Sequence, residues 1–446
     1  MKTNWLLILA AAIGLNSSGF SSAAEPASTG SGAIESIGIY FTTDVMSSAT
    51  VETIPFFKAC GYNTYQFWDM GWSIPPSKHE RSYSAAAENV ERMQREGFRV
   101  FVILTVNMRQ CKEGEPEGYH DSIFDPGDRA LMKERLEYLT ATVRKLKAAD
   151  GFTIFAGDPG GHAQATPAQL TAAVKEIIAM ISRESPKAEI HVNPWSIASW
   201  DHFISPFLFE FWEKETRLSR DLIGQPDLFG PGVQIEFPLH NYYRSLAIKC
   251  FADAGKPLEL FPKAEDIAAL KGRGVKRMWG WPYFLTDECD DGYRPGTAGL
   301  AQSETRYIKQ IIDTGRKLGL DGMIANVFQS NISSERLNLY AFARFCKDSR
   351  ATPEQVIREF AGFCSEPETA DDLAAVLKFI ENNSTWQTGM QPERRLPNFD
   401  TGEMKSPQDA LNALAKVIAR KQSDLPMPQP TADYLQKLKE RLEMLK

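Results

Sequence analysis

The sequence contains no CxxC pair, no HExxH, no GxSxG and no Walker-type phosphate loop. These absences remove the usual signatures of zinc ribbons, zinc peptidases, serine hydrolases of the nucleophile-elbow kind and nucleotide triphosphatases. No run of five like charges occurs, and 50 basic residues against 57 acidic ones leave a net charge of −7. A basic footprint for nucleic acid is therefore missing. No apolar run approaches the roughly 20 residues that a membrane span needs. The one prominent run, Trp5 to Leu15, follows Lys2 and precedes Ser22-Ala23-Ala24, which is the layout of an export signal over residues 1–24. Residues 25–34, rich in Ser, Gly and Ala, read as a flexible lead-in. The six cysteines, Cys60, Cys111, Cys250, Cys289, Cys346 and Cys364, are scattered, and the export signal permits disulfides; Cys346 and Cys364 are near enough in sequence to join neighbouring helices.

What is abundant is aromatic side chain. Phe, Tyr and Trp make up 11% of 446 residues, more than a core of this size obviously needs. From residue 35 to about 349, short β-rich runs alternate with runs of helical period. Strands are expected at Ser36–Thr42, Thr64–Trp68, Arg99–Val106, Phe152–Ala156, Glu189–Asn193, Val233–Phe237, Arg277–Trp281 and Met323–Phe328. Between them, Met132, Leu136, Leu139, Val143 and Leu146 share one helical face, as do Val174, Ile177, Ile178 and Ile181. Eight strands with intervening helices or long connections point to a (β/α)8 TIM barrel. An open doubly wound sheet is the alternative, but Phe41-Thr42-Thr43-Asp44 stands where its Gly-rich turn belongs. Residues 350–446 read as a helical region, opened by Thr352-Pro353-Glu354-Gln355 and closed by Leu435, Leu438, Leu442 and Leu445 at helical spacing.

In such a barrel the chemistry gathers at the C-terminal ends of the strands. Six tryptophans fall there or just beyond: Trp68, Trp72, Trp195, Trp200, Trp279 and Trp281. With them stand carboxylates and amides: Asp69, Asp158, Asn193, Glu236 and Asn326, with His240 and Tyr242 close by. Aromatic faces stack on the C–H faces of sugar rings, amides bind hydroxyls, and paired carboxyls hydrolyse glycosidic bonds. Asp158 follows the apolar run Phe152 to Ala156, where desolvation would raise its pKa and suit a general acid. Glu236 shares a strand face with Gln234 among apolar neighbours, an expensive position for a carboxylate without a purpose. Asp287 or Glu288, in the acidic stretch to Asp291, is an alternative second carboxylate or a metal ligand.

Two segments resemble the (β/α)8 glycoside hydrolases that carry a helical region behind the barrel, in the manner of hexosaminidases and α-glucuronidases. One is Phe155-Ala156-Gly157-Asp158-Pro159-Gly160-Gly161, although Pro159 stands where hexosaminidase-type enzymes place a Glu after the Asp. The other is the barrel exit, from Asn338-Leu339-Tyr340-Ala341-Phe342-Ala343-Arg344-Phe345 through Thr352-Pro353-Glu354-Gln355-Val356-Ile357-Arg358-Glu359-Phe360. The expectation is an exported glycosidase with Asp158 as acid and Glu236 as base or nucleophile. Trp68, Asp69, Trp72, Asn193, Trp195, His240, Tyr242, Trp281 and Asn326 are expected to hold a carbohydrate, with no cofactor. A non-catalytic glycan-binding barrel and a metal-dependent hydrolase are the other readings.

Overall fold

Alternating side chains decide the architecture, because each strand must bury both its faces. The computed structural model describes residues 34–41, 48–69, 71–115, 123–155, 166–195, 208–239, 242, 245–282, 301–327, 334–384, 395–420 and 431–445. Eight strands close into a barrel in sequence order, with every neighbouring pair parallel and the last returning to the first. They are β1 (Ser36–Phe41), β2 (Thr64–Trp68), β3 (Arg99–Thr105), β4 (Gly151–Phe155), β5 (Glu189–Asn193), β6 (Val233–Pro238), β7 (Met278–Trp281) and β8 (Gly322–Val327). Each lies within a residue of its expected bounds.

Helices follow the strands: α1 (Ser48–Cys60), α2 (Pro76–Arg95), α3 (Arg129–Lys145), α4 (Pro167–Glu184) and α5 (Phe209–Gly224). Next come α6 (Ser245–Asp253), α7 (Ala264–Gly272), α8 (Thr305–Leu318) and α9 (Arg336–Lys347). Outward strand residues such as Ile39, Phe67, Val102, Ile154 and Val192 pack with the helices in the principal apolar cluster. Inward residues form a second cluster containing Tyr40, Trp68, Phe101, Phe155, Trp279 and Trp281. Two inward glycines make room for the rings. A Cβ on Gly151 would lie 2.4 Å from Phe101, and one on Gly322 would lie 2.3 Å from Trp279.

The C-terminal region adds α10 (Pro353–Cys364), α11 (Ala370–Asn382), α12 (Pro407–Ala419) and α13 (Thr431–Met444). A capping box at Thr352, with Gln355 reaching back, starts α10 as the sequence suggests. These helices share their own apolar cluster, which includes Leu337 of α9. The most heavily bonded carboxylate at the junction is Glu381. Its two oxygens accept from Ser303 Oγ (3.0 Å), Thr305 N and Oγ1 (both 2.8 Å), and Arg306 N (2.9 Å) and Nε (2.8 Å). The side chain that caps the start of α8 thus comes from α11, since Glu304 makes no side-chain cap there.

The Cys346–Cys364 disulfide that the spacing would allow is not formed. Both residues are buried, as are Cys60, Cys111 and Cys250. Closeness in sequence placed the two residues on adjacent helices without bringing their sulfurs together.

Candidate active site

The strand phase puts a belt of polar side chains across the barrel lumen, and Glu236 is its centre. Glu236 is wholly buried. Its Oε1 accepts from Gln66 Nε2 at 2.5 Å and Thr153 Oγ1 at 3.0 Å, and its Oε2 accepts from Asn193 Nδ2 at 3.3 Å. Burial raises its pKa, against the pull of His191 and of the Thr153, Gln66 and Asn193 hydrogen bonds. Asn193 is itself oriented, because its Oδ1 accepts the Trp195 amide at 2.9 Å. The expectation that Gln234 and Glu236 share a face holds. Gln234, however, uses its Oε1 to accept the Lys276 and Arg277 amides, which ties down the entry to β7.

Along parallel strands, two residues advance one pleat, about 6.6 Å. Trp68 follows Gln66 by two, Phe155 follows Thr153 by two, and Trp281 follows Trp279, the register partner of Glu236, by two. The next tier toward the strand ends is therefore aromatic. Phe155 packs edge-on to Trp281 with centroids 5.4 Å apart, Tyr40 does so at 5.7 Å, and Trp195 meets Trp281 at 5.6 Å. Trp68, Trp195 and Trp281 are each at most 3% exposed.

Toward the base of the barrel lies a charged chain. His191, also wholly buried, has its Nε2 2.6 Å from Glu189 Oε1 and its Nδ1 3.7 Å from Glu236 Oε1. Glu189 Oε2 receives Arg99 at 2.8 Å and Arg277 at 2.7 Å. Burial opposes ionisation of Glu189, but the His191 hydrogen bond and the charges of His191, Arg99 and Arg277 draw its carboxyl down to about 2. The imidazole packs against the rings of Trp279 (4.1 Å) and Phe101 (5.2 Å), which meet each other at 5.0 Å.

Not every expected residue joins this site. Asp69 is buried between β2 and α3. It accepts from Tyr138 Oη (2.9 and 2.8 Å), Thr142 Oγ1 (3.2 Å) and the Gly71 amide (3.1 Å), with the Arg135 guanidinium near by. Burial raises its pKa against those partners. Its side chain sits in the barrel wall against α3: Trp68 faces the lumen, so the next residue faces out. Trp72 is fully buried in the outer apolar cluster. Tyr242 turns away too, donating to the Pro262 carbonyl at 2.5 Å. Asn326 is buried on β8, in register with Tyr40 on β1. Asp158, His240, Asp287 and Glu288 lie outside the described residues.

Gln66, Thr153 and His191 were not singled out from the sequence, although all three sit in the inward phase of strands that also carry Glu236 or its neighbours. Among the described residues, no group of three or more His, Cys, Asp or Glu side chains is placed to hold a metal ion. No helix among them is long and apolar enough to cross a membrane.

No protein-family model matches the sequence, and no curated protein matches it either. Solved structures do match in fold. A mutant of the Thermobaculum terrenum O-GlcNAc hydrolase superposes with a TM-score of 0.53 at 12% identity, over 93% of this chain and 82% of that one. A GH138 enzyme targeting pectin rhamnogalacturonan II gives 0.53 at 10% identity, over 92% of this chain and 57% of that one. CpGH84D gives 0.52 at 11%, over 92% and 62%. The chain thus spans less than two thirds of the length of the latter two. At such identities the likeness is one of fold: this chain is a (β/α)8 barrel with a C-terminal helical region, built as these carbohydrate-active enzymes are built.

Proposed function

We propose that the protein is an exported glycoside hydrolase acting on an oligosaccharide or polysaccharide fragment, with Glu236 and Asp158 as its two working carboxyls. The observation that carries this reading is the lumen belt. A single buried carboxyl, raised by its burial, is held by Gln66, Thr153 and Asn193 one pleat below an aromatic tier at the strand ends. A superposition that takes in the helical region as well as the barrel supports the same class, as do the carbohydrate substrates named for two of the similar structures. Export rests on the N-terminal 24 residues.

In this reading Asp158 protonates the leaving oxygen and Glu236, as carboxylate, acts as base or nucleophile. Turnover then requires Glu236 to be ionised, so the acid limb of kcat/KM lies above the ordinary carboxylate range, in the direction of its shift. The test is release of reducing ends from a panel of oligosaccharides. Asp158→Asn and Glu236→Gln are expected to fold and to lose at least about a hundredfold in kcat. Full activity in both variants overturns the assignment.

One observation favours a second reading, a glycan-binding barrel without catalysis: both Glu236 oxygens are already occupied by donors. Sugar binding with no release of reducing ends would select it. A metal-dependent hydrolase using Asp287 to Asp291 is tested by chelator, which should leave activity unchanged under the leading proposal.

A further inference from the structure

The lumen holds a second titratable group that the proposed reaction does not use. His191 is fully enclosed, and its two nitrogens face two different carboxyls. Glu189 is ringed by two guanidiniums and is an ionised acceptor, so the Nε2 of His191 must carry the proton that joins them. That fixes the ring. Phe101 and Trp279 both pack against it, with ring centroids 5.2 and 4.1 Å away. Nδ1 is then held 3.7 Å from Glu236 Oε1, an ion-pair separation, and it has no hydrogen-bond partner.

We propose that His191, anchored by Glu189, is the positioning residue that sets whether Glu236 stands as acid or carboxylate. The other charged groups nearby are Arg99 and Arg277, neutralised at Glu189, and Asp321, ahead of β8, whose carboxyl also feels His191. Among the described residues, the side chains bonded to Glu236 from neighbouring strands are the neutral Gln66, Thr153 and Asn193.

The catalytic consequence rests on the reading of Glu236 as a working carboxyl; the pairing does not. The full chain, labelled with 13C at the glutamate carboxyls, is titrated by NMR, and the Glu236 resonance is assigned by its loss in Glu236→Gln. His191→Gln keeps a donor for Glu189 and removes the charge. It is expected to move the Glu236 midpoint upward by about one pH unit or more. Glu189→Gln, which releases the ring without deleting it, is expected to move it in the same direction by less. An unmoved midpoint in a folded His191→Gln overturns the proposal; if that variant does not fold, the Glu189→Gln midpoint decides it alone. The acid limb of kcat/KM is measured in parallel. A midpoint that moves while the limb stays put keeps the pairing and removes Glu236 from catalysis. A limb that moves with the midpoint supports both.

Discussion

Replacing Glu381 by glutamine tests how the C-terminal region is tied to the barrel. The carboxylate is fully buried and accepts five hydrogen bonds, from Ser303, Thr305 and Arg306. A glutamine amide turned toward Arg306 would set a donor against two donors, the Arg306 amide and Nε. Turned the other way, it meets the hydroxyls of Ser303 and Thr305, which can rotate to accept, and loses only the Thr305 amide. The second orientation is therefore the one expected. It leaves one backbone N–H at the start of α8 without a partner, which costs about 1–3 kcal/mol. It also leaves Arg306, 8% exposed at its side chain, without its counter-charge. Breaking a buried pair in this way costs about 3–5 kcal/mol. Arg306 keeps its bond to the Pro397 carbonyl and its place over the Phe399 ring, 4.3 Å away, so the low end applies. A total loss of about 4 kcal/mol is expected, a large share of the 5–15 kcal/mol typical of a folded domain. Urea unfolding followed by circular dichroism reads it as a lowered midpoint, and Ser303→Ala should cost only about 1 kcal/mol. A Glu381→Gln protein within 1 kcal/mol of the parent would refute the idea that α11 caps α8.

Asp69→Asn should lower stability by about 1–3 kcal/mol through the Tyr138 and Arg135 contacts while leaving KM unchanged, since the side chain faces α3; a raised KM with unchanged stability would return Asp69 to the substrate. Gly322→Ala places a methyl 2.3 Å from the Trp279 ring and should cost about 1–3 kcal/mol by thermal or urea unfolding. Asp321 gives a pH signature. Burial raises its carboxyl from 3.8 to about 6, so the folded form holds the proton more tightly, and the stability this gives is complete at low pH and lost as pH rises through about 6. Asp321→Asn keeps an acceptor for the Met278 amide and should gain on the parent by about 1–2 kcal/mol between pH 4 and 7, level above that; a difference that is flat with pH would contradict it.

The barrel was legible because each strand is a short β-rich run at a near-regular interval, and the structure moves its ends by no more than a residue. The site was legible only in part. Asp69 was chosen for its position at a strand end, yet Trp68 already occupied the inward phase, and one residue reverses the face. The same phase argument, applied to every strand, picks out Gln66, Thr153 and His191 beside Glu236. Aromatic abundance suggested exposed platforms, whereas Trp68, Trp195 and Trp281 fill the strand-end tier against one another. The bond between Glu381 and Arg306 had no local signal, because 75 residues separate the partners.

The base of the lumen is plugged by the rings of Phe101, His191 and Trp279, with Glu189 locked between two arginines beneath them. The barrel is consequently a cup rather than a pipe. Under the proposed function, a molecule reaching Glu236 enters and departs by the strand-end side, so an incoming substrate waits for the outgoing product. Bulk added at the base should trouble folding alone, while bulk added to the aromatic tier should slow exchange.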